Sequence, residues 1–109
     1  MEIKLSEVDR MVDIAIRTRF SYYIFRITEP GTRRGFLSGG RLGTNEREAF
    51  LSSTFLPANG RVRKSKHLET GYRAIFYLAG SGMHILITSV ITELGFAATK
   101  ANEDSPGDC

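Results

Sequence analysis

Residues 72–94, YRAIFYLAGSGMHILITSVITEL, contain two apolar runs on either side of a turn signal. Residues 72–79 and 83–94 are rich in Ile, Leu, Val, Phe and Tyr, residue types that favour β-strands. Gly80-Ser81-Gly82 lies between them, and glycine readily adopts the positive φ angles of tight turns. The stretch therefore predicts a β-hairpin. Its nearly continuous apolar character predicts strands that are buried on both faces or covered by a helix.

Three segments before this hairpin also have the composition of strands. They are residues 19–28 (RFSYYIFRIT), 33–40 (RRGFLSGG) and 47–56 (REAFLSSTFL). Glu29-Pro30-Gly31 supplies a turn between the first two, because proline presets φ at the second turn position and glycine accepts positive φ at the third. The third segment has an alternative, a single helical turn within residues 45–50. As a strand it presents two faces: Ala49, Leu51 and Ser53 on one, and Phe50, Ser52 and Thr54 on the other.

The N-terminal stretch 6–17, SEVDRMVDIAIR, predicts a helix. Ser6 occupies an N-cap position, and Asp9 follows three residues later as in a capping box. Apolar residues recur at helical spacing: Val8, Met11, Val12, Ala15 and Ile16. The alternative is a strand, because Val12, Ile14 and Ile16 also alternate. We expect the helix.

Together these elements predict a mainly β (α+β) domain: a small, partly closed antiparallel barrel or meander of about five strands with one N-terminal helix. A chain of 109 residues has the length of one domain, and we assign it residues 1–99. Short antiparallel strands commonly curl in a way that removes exposed edges. Residues 100–109, KANEDSPGDC, are polar and predict a disordered tail.

The composition narrows the class of protein. The hydrophobic fraction of 41% and the charged fraction of 25% are those of a soluble globular protein. No apolar run approaches the roughly 20 residues of a membrane helix, and the N-terminus lacks the apolar region of a secretory signal. We therefore expect a cytoplasmic protein with no membrane partner. The single cysteine, Cys109, permits no internal disulfide, and the separation of His67 from His84 predicts no metal site.

A glycine-rich stretch, residues 35–43 (GFLSGGRLG), resembles two nucleotide-binding motifs but satisfies neither. Its first and sixth letters have P-loop spacing, but Arg41 replaces the lysine and Leu42 the residue that holds Mg²⁺. Residues 37–40 match the start of the ABC-type ATPase signature, which works only opposite a Walker A loop. The glycines instead predict tight turns and a bulge. The alternative is a nest of backbone N–H groups for an anion, flanked by Arg33, Arg34 and Arg41.

Basic residues are concentrated in the middle of the chain. Twelve basic and four acidic residues lie between positions 14 and 75, although the net charge of the whole chain is only +3. Arginine outnumbers lysine eleven to four, and its planar guanidinium suits phosphate and carboxylate groups. In an extended RVRKSKH run, Arg61 and Arg63 would project from one face. The predicted basic face comprises Arg33, Arg34, Arg41, Arg61, Arg63, Lys64, Lys66 and Arg73.

Aromatic residues are interleaved with this charge, and nucleic-acid bases stack on exposed rings. Tyr23 and Tyr72 are the predicted stacking residues.

Candidates for catalysis are few. His67 and Glu69 could form a minimal acid–base pair, but no segment supplies a nucleophile elbow or an oxyanion hole. We therefore expect no catalytic residues, no enzymatic activity and no cofactor.

The sequence thus predicts a small non-enzymatic binding domain that engages a polyanion, with nucleic acid as the first choice, through an arginine-rich face. The alternative is a protein–protein interaction module whose basic face meets an acidic protein surface, or a homo-oligomer formed through an exposed strand edge. Arginine suits both functions. The acidic tail favours the protein partner, because it would compete with nucleic acid for the basic face.

Overall fold

A computed structural model describes residues 1–58, 60, 62–64, 67–80 and 84–97, with residues 62–64 described by their backbone alone. These residues form ten strands and three short 3-10 helices. The strands are β1 (Glu2–Lys4), β2 (Asp13–Thr18), β3 (Tyr22–Glu29), β4 (Arg34–Gly39), β5 (Arg47–Phe55), β6 (Val62–Lys64), β7 (His67–Glu69), β8 (Arg73–Leu78), β9 (Ile85–Ile87) and β10 (Ile91–Ala97). The 3-10 helices are Leu5–Glu7, Pro30–Thr32 and Gly40–Leu42.

The strands form two antiparallel sheets. The order in the large sheet is β10-β2-β3-β4-β5-β8-β9, with β6 also paired to β5, and the small sheet consists of β1 and β7. The mainly β, antiparallel prediction is confirmed, with more strands than expected. The large sheet is not a closed barrel, because β9 and β10, at the two ends of the strand order, are not paired with each other. Its ends nevertheless approach each other where Ile91 of β10 hydrogen-bonds to the backbone of Gly71 and Tyr72, just before β8.

The prediction of an N-terminal helix is wrong. Residues 13–18 form β2, which pairs with β10 on one side and with β3 on the other. Met11 has a φ of 66°, which a right-handed helix does not allow. Ile14 and Ile16 are fully buried, so the alternating pattern defines the buried face. The strand forms because neighbouring strands satisfy its backbone groups on both edges, and this tertiary pairing overrides the local helical pattern.

The hydrophobic core lies on the inner face of the large sheet. Phe25 of β3 and Phe76 of β8 pack edge to face with their ring centroids 5.0 Å apart. Two strands separate β3 from β8 in the sheet, so this contact requires the sheet to curl around its core. Ile3, Leu5 and Leu68 are buried in the same cluster. The N-terminal segment and β7 therefore cover part of the core that the curled sheet encloses.

Strand β5 departs from the predicted alternation. Ala49 and Leu51 share the buried face, but the register shifts between Leu51 and Ser53, and Thr54 is buried in place of Ser53. A β-bulge has this effect because its extra residue reverses the faces of the side chains that follow. One edge of β5 pairs with β4 along its first half and with β6 along its second half.

The predicted hairpin is present as β8 and β9, but residues 83–94 do not form one strand. Residues 88–90 separate β9 from β10, which lies at the opposite edge of the sheet. Thr88 fixes the break, because its N–H donates to the Ala74 carbonyl at 2.9 Å and its Oγ1 accepts from the Ala74 N–H at 3.0 Å. The predicted tail, residues 100–109, lies outside the described residues.

Candidate nucleic-acid interface

A tight turn between β2 and β3 carries Arg19 and Phe20 at its tip. Thr18 and Ser21 close the turn. The Thr18 N–H donates to the Ser21 carbonyl at 2.8 Å, and the Ser21 N–H donates to Thr18 Oγ1 at 3.0 Å. Small hydroxyl side chains of this kind stabilise turns by bonding to the backbone. The predicted strand 19–28 therefore begins three residues later, at Tyr22.

The tip of this turn is attached to the segment between β9 and β10. The Arg19 N–H donates to the Val90 carbonyl at 2.9 Å, and the Phe20 N–H donates to Ser89 Oγ at 3.2 Å. The Phe20 side chain is 79% exposed, and Arg19 Cζ lies 5.5 Å from the centroid of its ring. The backbone contacts thus fix the position of the turn, whose Arg19 and Phe20 are exposed.

This turn borders a groove of about 350 Å³. Arg41 after β4, Arg73 at the start of β8 and Ile87 at the end of β9 also line it. Its lining consists of ten described residues, among which three are arginines and none is a carboxylate. We use the term arginine groove for this cavity and for four residues of its lining: Arg19, Phe20, Arg41 and Arg73.

Arg41 reaches the groove from the short 3-10 helix that follows β4. Gly39 and Gly40 precede it with φ values of 101° and 49°, and a Cβ at Gly39 would collide with the carbonyl oxygen of Tyr22. The Gly39 N–H donates to the Gly43 carbonyl at 2.7 Å. These glycines are therefore required for turn geometry, as predicted. The loop contributes the Arg41 side chain to the groove, while the Gly39 N–H is used inside the loop.

Arg73 is held by its surroundings on β8. Its Nε donates to the Thr88 carbonyl at 2.8 Å, and its Cζ lies 5.4 Å from the ring centroid of Phe55. Contact with a ring face favours a cation, because the face carries partial negative charge. Neither contact neutralises the guanidinium, so Arg73 contributes a full, positioned positive charge to the groove.

The described residues place no carboxylate within ion-pair distance of Arg19, Arg41 or Arg73. The arginines on the outer face of β2, β3 and β4 differ in this respect. Each has an acidic partner: Arg17 pairs with Glu93 at 3.2 Å, Arg26 with Asp13 at 2.8 Å and Arg34 with Glu48 at 3.9 Å. The hydrogen bond to Asp13 also raises the pKa of Arg26. Three guanidinium groups without a described carboxylate partner thus line one groove, where their charge attracts anions.

Arg33 and Arg34 of the predicted basic face lie outside the arginine groove. Arg33 is half-buried, and its Nε donates to the Leu51 carbonyl at 3.0 Å. Its backbone has a φ of 58° at the end of the Pro30–Thr32 helix. Arg34 lies on the outer face beside Glu48. The structure therefore assigns Arg33 a contact that joins the start of β4 to β5, and Arg34 an ion pair with a neighbouring strand.

The two basic segments of the sequence meet along one edge of β5. Arg34 of β4 lies opposite Phe50, and Lys64 of β6 lies opposite Ser53. Three residues of extended strand span roughly 10 Å, so the backbones of the two segments follow one another on the same edge. The structure does not describe Arg61, Lys66 or the side chains of Arg63 and Lys64. The place of these four residues on the basic face stays a prediction.

The prediction that Tyr23 stacks on a base is wrong. Tyr23 lines the groove but is only 4% exposed, so its ring has no face to offer. It is buried because its side of β3 faces the core together with Phe25 and Ile27. Tyr72 is half-buried and lies just before β8, outside the groove lining.

Sequence reasoning missed Arg19 and Phe20 as site residues. Residues 19–28 have a continuous aromatic and β-branched composition, which concealed the turn at their start. A signal was present, because Thr18 and Ser21 flank Arg19-Phe20 and hydroxyl residues at that spacing bond across turns. The exposure of Phe20 depends on contacts with Ser89 and Val90, which local sequence does not reveal.

The other candidate residues belong to structural contacts. Nδ1 of His67 contacts Oε2 of Glu2, so this histidine links β7 to β1. The described residues contain no group of three or more His, Cys, Asp or Glu side chains that could hold a metal ion. They also contain no helix with the length and apolar character needed to cross a membrane.

Comparisons of the chain with protein-family models, with curated proteins and with solved structures find no match. Its functional interpretation therefore rests on the geometry and charge of the arginine groove.

Proposed function

We propose that this protein binds nucleic acid through the arginine groove, with a preference for single strands. One observation carries the proposal: Arg19, Arg41 and Arg73 come from three distant parts of the chain to a single groove whose described lining has no carboxylate. Like charges that converge in this way repel one another and raise the free energy of the folded state. A bound polyanion removes that repulsion. We therefore expect such a cluster to bind a polyanion.

Phosphate is the group that the three guanidinium ions suit best. Each presents several N–H donors in a plane and can form two parallel hydrogen bonds to phosphate oxygens. A backbone with successive phosphates can contact several arginines at once, and each contact releases a condensed counterion. Contacts of this type position the nucleic acid without reading its sequence. We therefore expect binding with little sequence specificity and with a strong dependence on salt.

Phe20 supplies the reason to expect single strands. Its ring is 79% exposed at the rim of the groove, and the turn that carries it is attached to Ser89 and Val90. An unpaired base can stack on such a ring, whereas the bases of a duplex are already stacked on one another. The combination of positive charge and an exposed ring is typical of sites for single-stranded nucleic acid.

The test is fluorescence anisotropy with a labelled single strand of roughly 20 nucleotides and the matching duplex, titrated over a range of salt concentrations. Three phosphate contacts predict a log–log salt slope of about −2 for the single strand. Arg19→Glu/Arg41→Glu should make that slope shallower by about 1.4, since two contacts are removed. Phe20→Ala should weaken single-strand binding at least about fivefold, because stacking contributes about 1 kcal/mol or more, and should leave duplex binding unchanged.

The matched control is Lys4→Glu/Arg10→Glu, which changes the net charge equally at two exposed residues that do not line the groove. It should preserve most of the affinity. An equal loss of affinity in this control would show that binding depends on net charge alone and not on the groove. No binding of wild type at about 50 mM salt, where electrostatic contacts are stronger than at physiological ionic strength, would refute the proposal and make an acidic protein surface the next partner to test.

A further inference from the structure

Strand β9 has one hydrogen-bonding edge in use and one exposed. Toward β8, the His84 carbonyl accepts from the Leu78 N–H and the Thr88 N–H donates to the Ala74 carbonyl. Because backbone groups alternate between the two edges of a strand, Leu86 also faces β8. The backbone groups of Ile85 and Ile87 point away from β8. Within the described residues these four groups have no partner, and β9 is the last strand of the sheet on this side.

The side chains on this edge are also exposed and apolar. Ile85 is 51% exposed and Ile87 is 46% exposed, while Leu86 between them is buried in the core. The chain from His84 to Thr92 contains no Lys, Arg, Asp, Glu or Pro. Proteins usually protect an exposed edge strand with such residues, since they discourage pairing with another chain.

The β10 edge of the sheet is better protected than β9 against pairing with another chain. Strand β10 carries Glu93, and its pairing with β2 shifts register between Ile91 and Glu93. A charge and a bulge both oppose the addition of a further strand. Of the two strands that end the strand order of the large sheet, β9 is therefore the one suited to extension.

We infer that β9 pairs antiparallel with β9 of a second copy of this chain across a twofold axis at Leu86. In that register Ile85 lies opposite Ile87 of the second copy, and the four outward backbone groups of each chain find partners as two hydrogen-bonded pairs. A twofold contact requires a surface that complements itself. The sequence Ile85-Leu86-Ile87 complements itself, because it reads the same in both directions.

This pairing places two arginine grooves beside one another. Ile87 belongs to both the exposed edge and the groove lining, so each groove lies next to the twofold axis. If the proposed function is correct, one strand of nucleic acid can contact both copies. The three-residue edge buries less than the roughly 800 Å² per partner of a stable interface, and the paired grooves repel each other. Nucleic acid should therefore tighten a weak dimer, and dimerisation should tighten nucleic-acid binding by the same factor.

Sedimentation velocity without nucleic acid tests the pairing directly. At roughly 100 µM chain, a concentration that detects dissociation constants in the micromolar range, wild type should sediment above the 12.2 kDa monomer. Ile85→Lys/Ile87→Lys should sediment as a monomer with an unchanged circular dichroism spectrum. The matched control Thr92→Lys/Phe96→Lys adds equal charge to the β10 edge and should leave the dimer intact. A monomeric wild type, or equal dissociation in both variants, would overturn the inference.

Cysteine cross-linking provides a second measurement that does not depend on the lysine variant. In a Cys109→Ser background, Ile85→Cys mixed with Ile87→Cys should form a disulfide between copies, since Cα atoms in a hydrogen-bonded pair are about 5.5 Å apart. Each variant alone should cross-link much less. Equal cross-linking in all three samples would reject the register. A dimer that does not bind nucleic acid would refute only the proposed function, and a monomer that binds it would refute only this inference.

Discussion

Six arginines of this protein form two groups that differ in their surroundings. On the outer face of β2, β3 and β4, arginines lie beside carboxylates of the same or neighbouring strands, as Arg26 does with Asp13 at 2.8 Å. In the arginine groove, Arg19, Arg41 and Arg73 are positioned by backbone contacts and glycine geometry, and the described residues provide no carboxylate partner. The first arrangement neutralises charge within the fold, whereas the second leaves it available to a ligand.

The comparison shows that residue type does not decide which arginines acquire a carboxylate partner. Arg34 and Arg41 belong to the same basic segment and are both exposed. Glu48 lies next to Arg34, while Arg41 lines a groove without an acid among its described residues. A substitution at a paired arginine or its partner should therefore change stability, and a substitution in the groove should change binding.

Of the substitutions compared below, the one at Gly39 is expected to have the largest effect on stability. The backbone geometry of this glycine positions Arg41, whereas ion pairs position the arginines of the outer face. Gly39→Ala would put a Cβ at a φ of 101° and into the carbonyl oxygen of Tyr22. We expect a loss of at least about 2 kcal/mol in the free energy of unfolding, measured by urea denaturation, together with weaker oligonucleotide binding. Gly31→Ala is the matched control, because no atom lies within 4 Å of its Cβ position. Equal losses at both positions would contradict this explanation.

A smaller effect is expected from the ion pair on the outer face. Asp13→Ala removes a buried partner of Arg26 and should destabilise the protein by about 2 kcal/mol, the usual contribution of a hydrogen bond to a charged group. Arg41→Ala should change stability by less than about 0.5 kcal/mol, as exposed substitutions do, and yet reduce oligonucleotide affinity. Thermal unfolding and anisotropy on the same samples measure both quantities. An Asp13→Ala variant as stable as wild type would contradict the assignment of a structural role to the paired arginines of the outer face.

The smallest effect is expected at Arg34. Its ion pair with Glu48 spans 3.9 Å, and both side chains are about half exposed, so solvent screens the attraction. Arg34→Ala should cost less than about 0.5 kcal/mol and change single-strand affinity less than about twofold. A loss of affinity as large as that of Arg41→Ala would extend the binding surface to the outer face of β4, as the sequence predicted.

Much of the fold followed from local composition. The β8–β9 hairpin, β4 and β5 lie within segments whose β-branched and aromatic residues predicted strands, and β3 extends one residue beyond such a segment. The N-terminal helix failed because the apolar residues before Thr18 fit both a helical and an alternating pattern. The choice between them depended on pairing with β3 and β10, and β10 lies more than seventy residues away in sequence.

The candidate site was less accessible to sequence reasoning. Arg41 and Arg73 were predicted and do line the groove. Arg19 and Phe20 were not, because the turn at the start of β3 was concealed in a strand-like run. Tyr23 was misassigned, since alternation identifies two faces of a strand without saying which one is buried. Only the curl of the sheet decides that.

The sequence by itself determined that the chain is mainly β, that its central part is basic, and that glycines shape the loop before Arg41. These properties depend on residue type and on neighbours within a few positions. Tertiary structure alone decided which arginines converge and which acquire carboxylate partners. It also decided that the β9 edge is exposed and that Phe20 remains in solvent. The physical reason is that hydrogen bonding between distant strands and burial of the core set these positions, and both depend on contacts that are remote in the chain.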